Sequence, residues 1–183
     1  AGAEFGNPPK DYLEAFNLVR NNNVNLTIHA GEAFGPESIH QAIHICGAHR
    51  IGHGTRLRED GDLLNYINDH RIPLEVCLTS NQQTIPEFRN NLKRHPFARM
   101  LKERVSVTLC TDNRLVSRTT MTAEVQKAVS TFKLDAKQLK DLLTYGFKRS
   151  FYPGPYNEKR ESVKQVLDIM ERIFEEYGFD TTN

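Results

Sequence analysis

The segment Asn25-Leu-Thr-Ile-His-Ala-Gly-Glu32 runs from a short alternating stretch into a corner that carries two reactive side chains. Polar and apolar residues alternate over its first positions, as they do in a half-buried strand. Gly31 permits a tight turn after the strand, so His29 and Glu32 are expected to project from that corner. An imidazole and a carboxylate three residues apart suit metal-assisted hydrolysis, in which one binds the ion and the other moves a proton. The alternative is a strand-end histidine that bonds only to the backbone.

Strands and helices alternate outward from this segment. The sequence predicts strands at 25–29, 50–54, 72–78 and 105–110, with a polar loop at 79–81 after the third strand. Helices are predicted at 8–22, 36–46, 59–70 and 95–101, and the remainder of the chain is predicted to be helical. In that remainder, Asp135 and Gln138 resemble a capping box, and 163–174 belongs to a long amphipathic helix. This order is typical of a parallel sheet with helical crossovers.

Polar, reactive side chains follow the predicted strands and do not precede them. They are His29 and Glu32, then His53, then Ser80 and Asn81, and then Asp112 and Asn113. The carboxyl ends of parallel strands lie on one side of a sheet, so these residues are expected to converge, as the catalytic groups of a (β/α)8 barrel do. About four strand–helix units are visible where a barrel needs eight. We therefore predict an α/β fold, the C-terminal portion of a (β/α)8 TIM-type barrel with parallel strands and extra C-terminal helices, in which residues 1–183 form a single domain and the N-terminal half is absent.

Composition indicates a globular protein that acts on a small molecule. The 183 residues are 38% hydrophobic and 26% charged with a net charge of +1, so neither a nucleic-acid nor a membrane partner is indicated. No apolar run approaches the roughly 18 residues that a membrane-spanning helix needs. Cys46, Cys77 and Cys110 are far apart in apolar segments, which favours buried reduced thiols and a cytoplasmic setting. The chain opens on Ala1-Gly2-Ala3 and not on Met, as though it were part of something longer.

The strand-end residues also have simpler interpretations, taken one at a time. His53 lies between two glycines and could be a buried, hydrogen-bonded imidazole, and Asp112 could cap the helix that follows it. Together with His29 and Glu32, however, the two residues equip the strand ends for a mononuclear metal-dependent hydrolase. The other histidines fall on predicted helices or helix ends and are interpreted as surface or packing residues: His40, His44, His49, His70 and His95.

Four motifs of this chain, taken in order, resemble the signatures of the adenosine deaminase family. They are His29-Ala30-Gly31-Glu32, Arg50-Ile51-Gly52-His53-Gly54, Glu75-Val76-Cys77-Leu78-Thr79-Ser80-Asn81 and Cys110-Thr111-Asp112-Asn113. Ala1-Gly2-Ala3-Glu4 also looks like the family's strand-four exit, and 147–151 looks like its late helix end. The resemblance implies a zinc-dependent (β/α)8 amidohydrolase that removes the 6-amino group of adenosine or deoxyadenosine, giving inosine or deoxyinosine and ammonia.

The resemblance also implies roles for the reactive side chains. One Zn²⁺ per active site would be bound by His29 and Asp112. Glu32 would protonate purine N1 while zinc-activated water attacks C6, and His53 would orient and help deprotonate that water. The physical chemistry agrees, since a zinc ion lowers the pKa of its bound water to about 7.

Substrate contacts are implied for two further residues, and the chain departs from the family pattern in three places. Gly2 would offer its backbone to the purine, and Asn113 would meet N7. Many family members have Asp where this chain has Asn113, but an amide NH₂ can also donate to N7. Leu78 stands where a Pro is common, which alters the stiffness of the loop. The family's opening strand supplies a His-x-His pair as two further zinc ligands, and no His-x-His occurs in this sequence.

Two other functions stay open at this point, and the resemblance limits what the chain can do alone. One alternative is a deaminase of adenine or of a modified adenine nucleoside, and the other is a non-catalytic, family-derived fragment.

With two zinc ligands, and with open sheet edges at the strands of His29 and Asp112, the isolated chain is expected to bind little zinc and to show no turnover. It is expected to associate with itself or with the missing N-terminal half.

Overall fold

Four short parallel strands form the sheet of the structure, a computed structural model that describes residues 4–179. They are β1 (Thr27–Ala30), β2 (Arg50–His53), β3 (Leu74–Val76) and β4 (Val107–Leu109), and they lie side by side in that order. Every neighbouring pair is parallel, with His29 level with Gly52 and Leu74 level with Val107. The carboxyl ends of the strands therefore lie at one edge of the sheet, as the sequence predicts.

Helices connect the strands and extend the chain after the last one. A 3-10 turn (Pro9–Tyr12) leads into α1 (Leu13–Asn21), and α2 (Pro36–His40) continues as a π-helical segment (Gln41–Ile45) before β2. Between β2 and β3 lie a 3-10 turn (Thr55–Glu59) and α3 (Gly61–Asp69). Between β3 and β4 lie α4 (Leu78–Thr84), α5 (Pro86–Arg89), a 3-10 turn (Leu92–Arg94) and α6 (Phe97–Lys102). After β4 come α7 (Arg114–Ser117), α8 (Met121–Phe132), α9 (Ala136–Lys148) and α10 (Tyr156–Glu176).

Apolar side chains of the sheet and of the crossover helices form the core. Ile51 and Leu74 of the strands are fully buried. The inner faces of α2, its π-helical continuation and α3 are buried against the sheet: Ile39, Ala42, Ile43, Cys46, Leu63, Leu64 and Ile67. In α1, by contrast, no residue is buried and only Phe16 packs against the core.

The sequence prediction is wrong for the segment that follows β3. The stretch 79–81 was expected to be a polar loop, but it lies inside α4. The carboxylate of Glu124, which is fully buried in α8, accepts a hydrogen bond of 3.1 Å from the backbone N–H of Thr79. An acidic side chain at a helix N-terminus stabilises the first turn. Because this side chain comes from a distant helix, no local sequence pattern reveals the start of α4.

Other local predictions are confirmed. The side chain of Asp135 accepts a hydrogen bond of 2.7 Å from the backbone N–H of Gln138. The side chain of Gln138 accepts one of 3.1 Å from the backbone N–H of Asp135, which completes the capping box of α9. Cys46, Cys77 and Cys110 are free thiols; the first two are buried as predicted, whereas Cys110 is only half-buried. Desolvation is nevertheless the main cause that raises the pKa of Cys110 to about 11. Among residues 4–179, no helix combines the length and the apolar character needed to cross a membrane.

Candidate active site

The reactive side chains meet at the carboxyl edge of the sheet. His29 lies in β1, Glu32 follows β1 in the adjoining turn, and His53 is the last residue of β2. Nδ1 of His29 is 3.2 Å from Nε2 of His53, and the same Nε2 is 3.3 Å from Oε2 of Glu32. The ligand atoms of these three residues all lie within 4.8 Å of one another. The structure therefore brings together three reactive groups that the sequence places at the ends of two separate strands.

This donor set fits a zinc ion. Zinc binds imidazole nitrogen and carboxylate oxygen at about 2.0–2.2 Å in tetrahedral geometry, which sets neighbouring donor atoms roughly 3.3 Å apart. The two contacts of Nε2 of His53, at 3.2 and 3.3 Å, match that spacing, but they are also hydrogen-bond distances and do not by themselves make His53 a ligand. The donor types gathered here, imidazole nitrogen and carboxylate oxygen, are suited to a divalent transition metal.

Asp112 lies beside this group but not within it. Its Oδ2 accepts a hydrogen bond of 2.7 Å from Oγ of Ser80, the second residue after the start of α4. Burial lowers the pKa of His53, against the negative charges of Glu32 and Asp112, which favour the protonated ring. Asp112 is thus close enough to act on His53 electrostatically, while Ser80 fixes the direction of its carboxylate.

Strained backbone marks the two strand ends that carry His53 and Asp112. Their φ angles are +67° and +54°, in the left-handed region that non-glycine residues rarely adopt. The other non-glycine residues of residues 4–179 with positive φ all lie at helix C-termini, where this conformation is common: Asn23, Arg71, Arg104, Arg118 and Lys133. Strain that persists away from helix ends is typical of functional sites.

The turn that carries Glu32 is held by the carboxylate of Glu4, a residue for which the sequence predicts no role of its own. Glu4 accepts hydrogen bonds from the backbone N–H groups of Gly31, Glu32 and Ala33 at 2.7, 3.0 and 2.8 Å, and from Oγ of Ser38 at 2.7 Å. Successive N–H groups that converge on one anion form a rigid concavity. Glu4 therefore fixes the turn after β1, although its position in the strand-exit motif was the only sequence signal for it.

Asn81 links three side chains of the site and is completely buried. Its Nδ2 lies 2.9 Å from Oε1 of Glu32 and 3.0 Å from Nδ1 of His53, and its Oδ1 lies 3.2 Å from Nε2 of His95. Oε1 of Glu32 also accepts a hydrogen bond of 2.8 Å from Thr84. His95 is buried, in agreement with a packing role, but no local sequence pattern predicts its contact with Asn81.

The predicted substrate contacts have different outcomes. Oδ1 of Asn113 accepts hydrogen bonds of 3.1 Å from the backbone N–H groups of Leu115 and Val116, so Asn113, and not Asp112, caps α7. Its Nδ2 donates to no residue within 4–179 and is free to meet an acceptor on a ligand. Gly2, which was expected to contact the purine, lies outside the described residues.

A cavity of about 440 Å³ opens beside these groups. It is lined by Glu4, Phe5, His29, Glu32, Ala33, Thr84, Ile85 and Pro86. Its volume lies in the range of about 300–1,000 Å³ that is usual for small-molecule sites. Two larger clefts, beside His49 and beside Lys148, contain none of the reactive strand-end residues. The cavity next to Glu32 is therefore the candidate substrate site.

Known proteins resemble the chain along most of its length. The adenosine deaminase family model matches residues 1–169. An adenosine deaminase of Mycobacterium avium is 41% identical over 182 residues, covering 91% of this chain and 49% of that protein. A probable adenosine deaminase of Dictyostelium discoideum is 37% identical over 182 residues, covering 98% of this chain and 23% of that protein. The chain thus spans about half the length of its mycobacterial relatives and about a quarter of the Dictyostelium protein.

Solved structures agree with the fold. An adenine deaminase from Arthrobacter aurescens superposes with a TM-score of 0.84 at 23% identity, covering 93% of this chain and 51% of its own. An amidohydrolase from Burkholderia ambifaria, solved with bound Zn, gives 0.83 at 18% identity, with coverages of 94% and 48%. Arabidopsis ADAL, solved with IMP, gives 0.77 at 26% identity, with coverages of 92% and 47%. The predicted fold class, the C-terminal portion of a (β/α)8 barrel, is confirmed.

Proposed function

Because this chain belongs to the adenosine deaminase family, we propose that the whole protein hydrolyses the 6-amino group of adenosine and deoxyadenosine. The products are inosine or deoxyinosine and ammonia. The observation that carries this proposal is the contact of Glu32 and His53 with one buried amide, Asn81, where Glu32 lines a cavity large enough for a nucleoside. A cytoplasmic setting, suggested by the three free thiols, is part of the same proposal.

Glu32 is the residue that moves protons at the purine. Its Oε1 accepts hydrogen bonds from Asn81 and Thr84, so the carboxyl group is held in one orientation, with Oε2 lying 3.3 Å from Nε2 of His53. We assign it the donation of a proton to N1 as a water oxygen bonds to C6. Breaking the bond between C6 and the exocyclic nitrogen then releases ammonia. The oxygen of the water stays on C6, and its two hydrogens end on N1 and on the departing ammonia.

Zinc is the metal we propose for this site, with His29 and Asp112 as its ligands from this chain. When bound, the ion supplies a water nucleophile at neutral pH. The like-folded amidohydrolase with bound Zn supports the choice of metal. Oδ1 of Asp112 has no partner among residues 4–179 and Ser80 orients the other oxygen, an arrangement that suits a ligating carboxylate. The carboxylate of Glu32 also lies within 4.8 Å of the His29 ring nitrogen. We assign Glu32 to proton transfer and not to zinc, because Asn81 and Thr84 both donate hydrogen bonds to its Oε1.

Substitution of the two carboxylates in the whole protein separates their roles. Glu32→Gln should retain zinc and lose about 10²–10⁴-fold in kcat, since an amide cannot protonate N1. His29→Ala and Asp112→Ala should lose zinc, because each removes a bond to the ion. Zinc content by elemental analysis and deamination of adenosine are the measurements. Glu37→Gln, at an exposed carboxylate of α2, is the matched control.

Loss of zinc from Glu32→Gln, with zinc retained in Asp112→Ala, would reverse the two assignments. It would show that the metal occupies the His29, Glu32 and His53 group of the structure.

A second candidate is a deaminase of adenine or of a modified adenine nucleoside. The likeness to ADAL, which was solved with IMP, supports a purine ligand without separating these substrates. Turnover of adenosine, deoxyadenosine, adenine and an N6-substituted adenosine, measured side by side, distinguishes them. A family-derived protein without catalysis would turn over none of the four.

A further inference from the structure

We propose that His95 and Asn81 are positioning residues that fix the tautomer of His53, so that the His53 ring carries its proton on Nε2 and directs it toward His29 and Glu32, two residues that line the cavity. The inference deepens the proposed function, on which its catalytic consequence rests. The tautomer itself follows from a chain of hydrogen bonds that begins at a backbone amide.

The first step fixes the tautomer of His95. The backbone N–H of Phe97 lies 3.1 Å from Nδ1 of His95. A backbone N–H can only donate, so Nδ1 must accept and the proton of the neutral ring lies on Nε2. His95 is 2% exposed, and burial lowers its pKa to about 3. The ring is therefore neutral at physiological pH and has a single possible tautomer.

The second step fixes the orientation of the Asn81 amide. Nε2 of His95 lies 3.2 Å from the Asn81 side chain and, as an N–H, requires an acceptor there. That acceptor is Oδ1, which turns Nδ2 toward Glu32 and His53. The contact of 2.9 Å between Nδ2 and Oε1 of Glu32 independently requires the same orientation, since a carboxylate accepts and an amide NH₂ donates.

The third step fixes the tautomer of His53 through its contact with Asn81. Nδ2 of Asn81 lies 3.0 Å from Nδ1 of His53 and can only donate to it. Nδ1 must therefore be unprotonated, and the proton of His53 lies on Nε2. A doubly protonated ring would bring two N–H groups face to face at this contact. The Nε2–H of His53 then points toward two acceptors, Nδ1 of His29 at 3.2 Å and Oε2 of Glu32 at 3.3 Å.

This arrangement narrows what His53 can do in the reaction. Sequence resemblance implies that His53 both orients the attacking water and helps to deprotonate it. With its proton on Nε2, the ring donates toward His29 and Glu32, which line the cavity, and can stabilise an oxygen bound beside them as negative charge develops on it. It cannot accept a proton at the same atom, so the proton of the water passes to Glu32. Because Asn81 and His95 fix its tautomer, His53 donates a hydrogen bond from Nε2, and Glu32 takes the proton of the water.

Nitrogen-15 NMR of the whole protein with labelled histidine tests the tautomer directly, because protonated and unprotonated ring nitrogens resonate in separate regions. In the unsubstituted protein, we expect His53 to show a protonated Nε2 and an unprotonated Nδ1. Asn81→Asp replaces the donor with an acceptor and should move the proton of His53 to Nδ1. His95→Phe removes one of the two contacts that orient the Asn81 amide and leaves only the contact with Glu32, so a second tautomer of His53 should become populated beside the first. His95→Gln, which keeps both a donor and an acceptor, should restore the single tautomer.

Kinetics and a control variant complete the test. His95→Phe should lower kcat by about 10- to 100-fold with little change in KM, the usual cost of losing an outer partner of a reactive group, and His95→Gln should recover most of that loss. His70→Phe, at an exposed histidine of α3's C-terminus, should change neither the spectrum of His53 nor kcat.

A protonated Nδ1 on His53 in the unsubstituted protein, or an unchanged tautomer in Asn81→Asp, would overturn the proposal. The spectra do not depend on turnover. If the expected tautomers appear in a protein that deaminates no purine, the proposed function is wrong and the positioning network stands.

Discussion

At the scale of single residues, Asn113 shows how one side chain can serve a helix and a ligand together. Its Oδ1 accepts both hydrogen bonds that begin α7, which directs Nδ2 away from the helix. The free NH₂ group is the part of the side chain that can donate to purine N7. The simple capping role and the proposed binding role therefore use different atoms and do not exclude each other.

Substitution of Asn113 separates the two roles. Asn113→Asp keeps an oxygen for the cap, and in its protonated form it can still donate to N7. Asn113→Ala loses the cap, at about 1 kcal/mol of folding stability, and leaves the N7 acceptor unpaired, at roughly 1–3 kcal/mol of binding. We expect kcat/KM for adenosine to fall further in Asn113→Ala than in Asn113→Asp. Asp135→Ala, which removes only the cap of α9, should lower stability by a similar amount and leave kcat/KM unchanged. Equal losses of kcat/KM in both Asn113 variants would show that Asn113 does not touch the base.

At the scale of elements, the turn after β1 depends on a segment far from it in sequence. The concavity of N–H groups at 31–33 is closed by the carboxylate of Glu4, and Ser38 of α2 donates to the same carboxylate. Gly31 is required in this turn, since its φ is +73° and a Cβ would lie 2.5 Å from Cδ1 of Ile39. The position of Glu32 is thus set by contacts from both sides of the turn.

Glu4→Gln tests this support. The substitution replaces one carboxylate oxygen with an NH₂ group that faces backbone donors, so at least one charge-assisted hydrogen bond is lost, at about 1.5–3 kcal/mol. We expect the amides of Glu32 and Ala33 to exchange with solvent roughly 10- to 100-fold faster, as measured by hydrogen exchange. Glu37→Gln, which removes the charge of an exposed neighbour, should leave these rates unchanged. Unchanged protection in Glu4→Gln would mean that the turn is held by its own backbone.

At the scale of the whole molecule, buried histidines make folding stability depend on pH. The pKa of His95 is about 3 in the folded protein, against about 6.5 when the chain is unfolded, and burial shifts the pKa of His53 in the same direction. Between these two values the unfolded chain binds more protons than the folded one. The free energy of unfolding therefore has its full value, as far as His95 is concerned, above about pH 6.5. It falls progressively as the pH is lowered toward 3, because the unfolded chain takes up a proton at His95 and the folded one does not.

Chemical unfolding at two pH values measures this effect. Lowering the pH from 7 to about 4.5 should cost roughly 2–3 kcal/mol through His95 alone. His95→Gln has no group to titrate at this position, so its loss of stability over the same range should be smaller by that amount. His70→Gln, at an exposed site, should retain the full dependence. If the free energy of unfolding fell equally with pH in His95→Gln and in the unsubstituted protein, His95 would take up its proton in the folded state as it does in the unfolded chain.

The outer edges of β1 and β4 pair with no other strand among residues 4–179, as expected for part of a barrel. The half-barrel interpretation of the fold is supported by the solved structures, each of which is about twice as long as this chain. Association of the chain with itself or with an N-terminal half, the single-domain organisation of residues 1–183 and weak zinc binding by the isolated chain stay predictions.

The sequence by itself determined the order of the strands and the edge at which the reactive residues meet. Alternation of apolar residues and the placement of His29, His53 and Asp112 after strands are local properties, and parallel pairing converts them into proximity. The same reasoning could not place 79–81 in a helix, because its cap comes from Glu124, 45 residues away.

Only the tertiary structure decided how the reactive side chains are held. Glu4 reaches Gly31 across 27 residues, and Asn81 reaches Glu32 across 49. These contacts depend on how elements dock, and a glutamate or an asparagine carries no sequence mark of the partner it will find. The tautomer of His53 lies at the end of such a chain of contacts, because the proton on one ring nitrogen is set by the hydrogen bond at the other.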